Sequence, residues 1–507
     1  MMSTASSFAS RHQCFLGVDV GTSGVKAVLV APNGDVTASA VEPLGLSAPR
    51  PGWAEQDPED WWQASIAAIG SVLAADPRAM VEAVGLSGQM HSSVFLAADG
   101  KIIRPALLWC DGRTTAECRV ITERVGGEER LRELACNPAL EGFTLPKVLW
   151  LRAHEPEAFA RLATVLLAKD FVRHRLTGVL ATEPSDASAT LMFDTARVRW
   201  SDEILSAVGL PRSIVPAIGG SSEVLGRVTP EASRLTGLAA GTPVVGGGAD
   251  NACGAAGVGV VRPGSAVVSW GTSGTVLAPT DSPRVDPLLR VHTFCHVAPG
   301  VWYMMGVVLS AGGAFAWYRD QLVRGGGVAT DLNEELDAEA ASAPRGASGV
   351  TFLPYLQGER TPHRDASARG ALLGLSLAHK RAHLTRAVLE GVCFALRDSL
   401  SILREVGVRP EELLLTGGGA RSPFLRTLQA EVFGLPVRTV NPGEGAAYGA
   451  ALLAAVGIGA FSDLGSAARA TLTRSAPEHP GAGAHAAYEE AYQRFRAGYA
   501  AARGERG

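Results

Sequence analysis

Apolar residues along this chain recur with two different periods. Short β-branched-rich runs at 15–20, 25–31 and 83–87 are bounded by Gly, Ser or Thr, which predicts strands closed by tight turns. Between such runs lie longer segments such as 58–73, where Trp61, Trp62, Ile66 and Ile69 fall on one side at helical spacing. Strands alternating with amphipathic helices predict α/β layers. The first two runs flank Gly21-Thr22-Ser23-Gly24 and read as a hairpin. A second hairpin is predicted about 250 residues later, with strands at 265–270 and 275–278 around Gly271-Thr272-Ser273-Gly274. The repeated turn implies two related halves, with a hinge expected near 237–248, where Gly and Pro interrupt the pattern. The uncharged stretch 445–462 is rich in Ala and Gly and contains Tyr448, which favours a buried helix over a membrane span. After a loop at 475–483, Tyr488, Tyr492, Phe495 and Tyr499 repeat at helical spacing, as expected for a helix docking an aromatic stripe on the body.

Composition narrows the function classes. A chain of 507 residues predicts two or three domains, and 47% hydrophobic against 19% charged residues is enough to build large cores. A formal net charge of -4 offers no basic field for nucleic acid and no polybasic patch for anionic lipid. The expected partners are small molecules, with a homodimer left open and no nucleic acid or membrane. Seven cysteines at 14, 110, 118, 136, 253, 295 and 393 form no CxxC pair and no disulfide framework, which fits a reducing, cytoplasmic setting. Residues 1–13 are polar and small and read as a disordered tail rather than an export signal.

A P-loop phosphate cradle is absent, because there is no GxxxxGK[ST] segment, so any phosphate binding must come from elsewhere. In the segment from Asp19 to Lys26 the glycines let backbone N–H groups approach an anion, and Thr22 and Ser23 add hydroxyls at the same turn. Asp19 is suited to Mg²⁺, a hard cation that prefers oxygen ligands. An ordinary tight hairpin is the competing reading. A third cluster, Gly417-Gly418-Gly419, follows a strand-like run at 413–415 and precedes a helical pattern at 423–432, an order common in nucleotide sites. Asp250 follows Gly246-Gly247-Gly248-Ala249 and precedes Asn251. It is placed either to accept a proton from a substrate hydroxyl or to cap a following helix. Gln89-Met90-His91 brings an amide, a soft apolar surface and an imidazole into one loop, a set able to read a polyol, although a lone His also serves packing. No zinc site, GxSxG or Cys/His catalytic signature is present.

Taken in order, the motifs resemble the FGGY family of carbohydrate kinases, of the actin-like (ribonuclease H-like) ATPase fold, and within it the members that act on xylulose. The segments that carry the likeness include FLGVDVGTSGVKAVLV at the start, WAEQDPEDWW (53–62), GLSGQMH (85–91), LLWCDGR (107–113) and GFTLPKVLW (142–150). Later ones include LLAKDF (166–171), GGGADNACGAAGVG (246–259), SWGTSG (269–274), FLPYLQGERTPH (352–363) and TGGGARS (416–422). The C-terminal signature is matched at Gly370, Leu372, Gly374, Leu375, His383, Leu384 and Ala387 to Glu390. The resemblance implies two actin-like domains flanking a deep catalytic cleft. The N-terminal, sugar-binding domain would span 14–244 and the C-terminal, nucleotide-binding domain 245–475, followed by a loop and amphipathic helix at 476–507. It further implies ATP-dependent phosphorylation of D-xylulose to D-xylulose 5-phosphate, with ATP and Mg²⁺ as cofactors, Asp250 as base and Asp19 assisting the metal. Gln89, Met90, His91, Asp250 and Asn251 would hold the sugar. Thr22, Ser23, Lys26, Gly271, Thr272, Gly312 (in Ser310-Ala311-Gly312-Gly313), Gly417, Gly418 and Asn441 would contact the nucleotide. Two rival readings remain: a kinase of the same family for ribulose, a pentitol or glycerol, and an actin-like nucleotide switch without sugar chemistry. Ser92 after QMH, where a Gly is common, and Ala153-His154 near Lys147 and Trp150 depart from the family pattern.

Overall fold

The first hairpin forms as the pattern predicts: β1 (His12–Val20) and β2 (Gly24–Val30) pair antiparallel, with Asp19 opposite Lys26 and Val20 opposite Val25. The structure is a computed structural model, and it describes residues 11–323 and 332–503. Most of the expected N-terminal tail therefore lies outside the described residues, while His12 and Gln13 already belong to β1.

The chain folds as two units. The first comprises residues 1–261, 294–302 and 442–473. Its main sheet runs β5-β6-β4-β1-β2-β3, with β3 (Val36–Pro43), β4 (Ala79–Gly88), β5 (Val224–Arg227) and β6 (Pro243–Val245). A short strand, β7 (Gly248–Ala249), also pairs with β4. Strands β1, β4, β6 and β7 are mutually parallel where they pair. Helix α1 (Pro58–Ala75) starts at an Asp57 cap and buries Trp61, Trp62 and Ile69, the side read from the sequence. The helix Gly445–Gly457 lies against β1 and β4, where a Cβ on Gly17 or Gly85 would come within 1.8 Å and 1.9 Å of the helix backbone. That contact explains the small residues of the uncharged stretch: bulk on either surface would push the helix off the sheet. Among the described residues no helix is long and apolar enough to cross a membrane.

The second unit comprises residues 262–293, 303–441 and 474–507. It is built on β8 (Ser265–Trp270) and β9 (Gly274–Thr280), which pair antiparallel, and β10 (Glu412–Gly417), parallel to β8. A 25-residue helix, Arg381–Glu405, runs buried through the core. The helix Ala484–Ala502 docks Tyr488, Tyr492 and Phe495 around Phe394, with ring centroids 5.6–6.0 Å apart. Tyr499 stacks on His363 at 3.5 Å.

These units do not meet at one point along the chain, as the expected boundary at 245 would have it. Residues 245–261 stay in the first unit because Val244 pairs with Val84 and Gly248 with Ser87, which makes this segment part of the first sheet. Residues 442–473 return to the first unit through the helix packed on Gly17 and Gly85. Asp250, placed by the sequence reading in the C-terminal domain, accordingly belongs with Asp19 and His91.

Candidate active site

Three neighbouring parallel strands of the first unit end at the same edge. In register, Asp19 of β1 stands beside Ser87 of β4 and Val20 beside Gly88, while Gly248 and Ala249 of β7 stand beside Ser87 and Gly88. The chain leaves β4 into Gln89-Met90-His91 and leaves β7 into helix α4 (Asp250–Ala256). Side chains predicted from widely separated motifs thus converge at carboxyl ends of strands, the usual place for ligands in such sheets. Asp250 is the first residue of α4 and Ala249 is its cap, so the capping role is not the one Asp250 fills.

The two carboxylates are electrostatically linked. Burial pushes Asp250 up to about 7, and the charge of Asp19 adds to the rise, offset by hydrogen bonds from Asn251. Asp250 Oδ1 accepts from the Asn251 backbone N–H at 2.6 Å and from its side-chain amide at 2.8 Å. Asp19 is also raised by burial, against the pull of the nearby Ser87 hydroxyl and Lys26. Its Oδ1 is buried without a hydrogen-bond partner. Lys26 forms an ion pair with Glu444.

Around the acids the QMH loop is held rigidly. Asn251 Nδ2 lies 3.5 Å from Met90 Sδ. His91 has a positive φ of 67°, and its Nδ1 pairs with the Ala189 carbonyl at 2.6 Å, which orients the imidazole. Its ring packs against Phe143 at 4.6 Å and Phe294 at 5.9 Å. The His91 carbonyl accepts from Lys147 Nζ at 3.0 Å and Thr144 Oγ1 at 3.1 Å. Gln89 Oε1 accepts from Thr22 Oγ1 at 3.1 Å and Ser92 Oγ at 3.0 Å, and Trp109 Nε1 donates to Thr22 Oγ1 at 2.9 Å.

In the second unit Gly271, Thr272, Gly312 and Gly417, four of the predicted nucleotide contacts, cluster as backbone. Gly312 N–H donates to the Gly271 carbonyl at 2.8 Å, and the Ala311 and Gly313 N–H groups donate to the Thr272 carbonyl at 3.0 and 2.9 Å. Gly417, opposite Trp270 in the β8–β10 register, has φ 73°, and a Cβ there would sit 2.4 Å from the Trp270 carbonyl. Asn441 ends a two-residue strand and is exposed.

Models of the FGGY family of carbohydrate kinases match in both parts, the N-terminal domain over residues 14–257 and the C-terminal domain over 266–458. The chain belongs to the FGGY family of carbohydrate kinases. A xylulose kinase of Escherichia coli is 42% identical over 445 residues, covering 87% of this chain and 90% of that protein. A xylulose kinase of Bacillus subtilis is 40% identical over 471 residues, covering 92% of each. A crystal structure described as a xyloylose kinase from Brucella ovis superposes with a TM-score of 0.88 at 38% identity, covering 97% of this chain and 99% of that one. The chain is an enzyme with the two-domain, actin-like fold of these kinases.

The geometry of this FGGY kinase adds residues that motif reading passed over. Trp109, Gln56 and Ser92 form the hydrogen-bonded frame of Gln89. Ser92, the departure from the common Gly, has its own partners: it donates to Gln89 and accepts from the Trp109 N–H at 3.2 Å. In the second unit Glu359 Oε1 accepts the N–H groups of Leu309 and Arg360 at 3.0 and 2.8 Å, tying down the chain that leads into Ser310-Ala311-Gly312-Gly313. Trp109, Lys147 and Glu359 sit inside the quoted motifs LLWCDGR, GFTLPKVLW and FLPYLQGERTPH, but each has a partner 50 or more residues away that only folding reveals.

Proposed function

We propose that this kinase transfers the γ-phosphoryl group of ATP to the 5-hydroxyl of D-xylulose, giving D-xylulose 5-phosphate and ADP. The observation that carries the reading is Asp250: a carboxylate raised to about 7 beside the QMH loop, partly ionised at neutral pH and basic enough to accept a hydroxyl proton. The ketose is read by Gln89, Met90, His91 and Asn251, with the Nδ1-anchored His91 presenting a fixed ring face. The identity to xylulose kinases over most of the chain supports this acceptor.

The donor set fits Mg²⁺. Asp19 offers a hard oxygen with no protein partner, close enough to Asp250 for their charges to interact, and a cation there would relieve the repulsion. Asp19 would hold the ion directly or through water, and when bound the ion supplies charge neutralisation to the transferring phosphoryl group. Thr22, Ser23 and Lys26 on the first turn, with Gly271, Thr272, Gly312, Gly417, Gly418 and Asn441 of the second unit, are assigned to the nucleotide. Glycine turns suit that role because unhindered N–H groups approach phosphate oxygens closely.

The test is ADP release with MgATP across D-xylulose, D-ribulose, L-ribulose, xylitol, glycerol and no acceptor. A preference for D-xylulose in kcat/KM of about 10-fold or more over the next acceptor is expected. Preference for another polyol would replace the acceptor and keep the chemistry. Turnover indifferent to every acceptor would overturn the kinase reading.

A further inference from the structure

We infer that a short helix behind the site, with the buried carboxylate that caps it, sets the position of Asp250 relative to His91, making Glu183 and Ser185 positioning residues of the acceptor site. The helix is α3 (Pro184–Ser188), which follows α2 (Ala168–Thr177) in the same unit. The inference rests on the reading that Asp250 and His91 serve the acceptor.

Each end of α3 touches one half of the site. At its start, Ser185 Oγ donates to Glu183 Oε1 at 2.7 Å and accepts the N–H of Ala249 at 2.9 Å. Ala249 is the residue before Asp250. At its end, the Ala189 carbonyl is the partner of His91 Nδ1. The next residue but one from Ala249, Asn251, reaches Met90, so the bracket spans the same gap that the polar contacts cross. Space is closed as well: a Cβ on Gly248 would meet Val297 at 2.2 Å and Ser185 Oγ at 3.3 Å, so the strand packs directly against both.

Glu183 is fixed in turn. It also accepts from the Ser185 and Asp186 N–H groups, both at 2.9 Å, and its Oε2 accepts from Ser221 Oγ at 2.7 Å. Lys169, fully buried at the start of α2, places Nζ 2.8 Å from Asp170, 2.9 Å from Asp186 and 3.4 Å from Glu183. Arg173 adds a second cation 3.0 Å from Asp170 and donates to the Gly246 carbonyl at 2.7 Å, two residues before Gly248. Burial pushes Asp186 up against the pull of Lys169, with Asp170 and Glu183 adding to the rise. A buried group of this kind tolerates little displacement, because any partner that moves leaves a charge unpaired. Lys169 also abuts the other strand: a Cβ on Gly88, the residue before Gln89, would lie 3.1 Å from Lys169 Cβ.

The test compares Ser185→Ala with Ser221→Ala. Both remove one buried hydrogen bond to Glu183, but only the first severs the link to Ala249. The acceptor is whichever sugar the wild-type enzyme phosphorylates fastest, so a wrong ketose assignment leaves the comparison intact. S185A is expected to lower kcat about 10- to 100-fold and raise the acceptor KM while the nucleotide KM stays unchanged, since misplacement of reacting groups by about 1 Å costs that much. S221A is expected to keep both constants within about twofold of wild type, its loss showing in Tm alone. Ser185→Cys, which keeps a weaker acceptor, should fall between wild type and S185A, and it carries the comparison if S185A does not fold. Equal kinetic constants for the Ser185 and Ser221 variants would overturn the inference. A crystal structure of the Ser185 variant gives a readout independent of turnover: Asp250 displaced relative to His91 supports the bracket, and an unmoved pair overturns it.

Discussion

Two hairpins in this kinase carry the same four-residue turn in different surroundings. The first reads Gly17-Val18-Asp19-Val20 before its GTSG, the second Val267-Val268-Ser269-Trp270. Each is flanked by a parallel strand whose last residue is Gly, with Val20 opposite Gly88 and Trp270 opposite Gly417. The antiparallel registers differ by one residue. Asp19 faces Lys26 across the first hairpin, whereas Ser269 faces Thr275 across the second, the position corresponding to Val25. Because directly opposed residues share a face of the sheet, this step sets a cation beside the carboxylate in the first unit and only a hydroxyl pair in the second. The residues after the terminal Gly differ too. Gly88 is succeeded by three large side chains, Gln89-Met90-His91, and Gly417 by two further glycines. The first hairpin borders the side chains proposed for the acceptor, the second the glycine backbone proposed for the nucleotide. A shared turn motif therefore marks a shared scaffold, while the residues one and two positions away decide the chemistry.

That contrast can be broken experimentally, and the largest effect belongs to Asp250. Asp250→Asn should cost about 10²- to 10⁴-fold in kcat while leaving nucleotide affinity intact, measured by ADP release and by nucleotide titration. Retained turnover would mean that no side-chain base works at the first site. Asp19→Asn should come next, raising the Mg²⁺ concentration for half-maximal activity about 10- to 100-fold in an activity titration with the metal. The matching change in the second hairpin, Ser269→Ala, should stay within about threefold of wild type, because Ser269 stands opposite Thr275 and brings no carboxylate to that position.

The backbone side of the comparison is sharpened by Gly418→Ala. An added Cβ there meets nothing nearer than the Trp270 carbonyl at 3.6 Å, so the fold should survive. An increase of about 10-fold in nucleotide KM with an unchanged acceptor KM is the expected outcome, and an unaltered nucleotide KM would remove Gly418 from the nucleotide site.

The pH dependence is set by the sign of the Asp250 shift. Its folded value, about 7, lies above the usual carboxylate range, so the folded protein holds this proton more tightly than the unfolded chain. The proton must leave before Asp250 can act as base, and kcat/KM should therefore fall on the acid side of pH 7. Stability contributed by the protonated form is full below the unfolded value and is lost as pH rises through the folded one. Asp250→Asn should accordingly raise Tm more at pH 8 than at pH 5, read by thermal melts at both. A small effect is expected for Ser92→Gly, which removes one buried donor and acceptor from the Gln89 frame at a cost of about 1 kcal/mol. Its signature is a rise in acceptor KM of a few-fold.

Much of this was legible in the chain, and the reasons are local. A strand, a Gly turn and a returning strand are encoded by consecutive residues, so both hairpins, α1, the buried helix near 445 and the aromatic stripe of the last helix can be read from periodicity. The candidate acids and the QMH loop were legible because each stands beside glycines at a predicted strand end. Other features were not. Ser185, Lys169 and Trp109 have partners 64, 14 to 17 and 87 residues away, respectively, and no short-range pattern announces such pairs. Ser92 looked like a simple departure from a Gly, yet its hydroxyl bridges Gln89 and the Trp109 N–H.

The amino-acid sequence by itself determined the class of chemistry, since paired glycine turns, two acids and a QMH loop are fixed by composition and order. Tertiary structure alone decided which unit owns them. The segment bearing Asp250 joins the first sheet because its backbone N–H and C=O groups complete the edge of β4, and the returning helix 445–457 fits only where Gly17 and Gly85 leave room for it. Hydrogen-bond satisfaction and close packing act between residues distant along the chain, and they moved the boundary that the glycine punctuation had placed near 237–248.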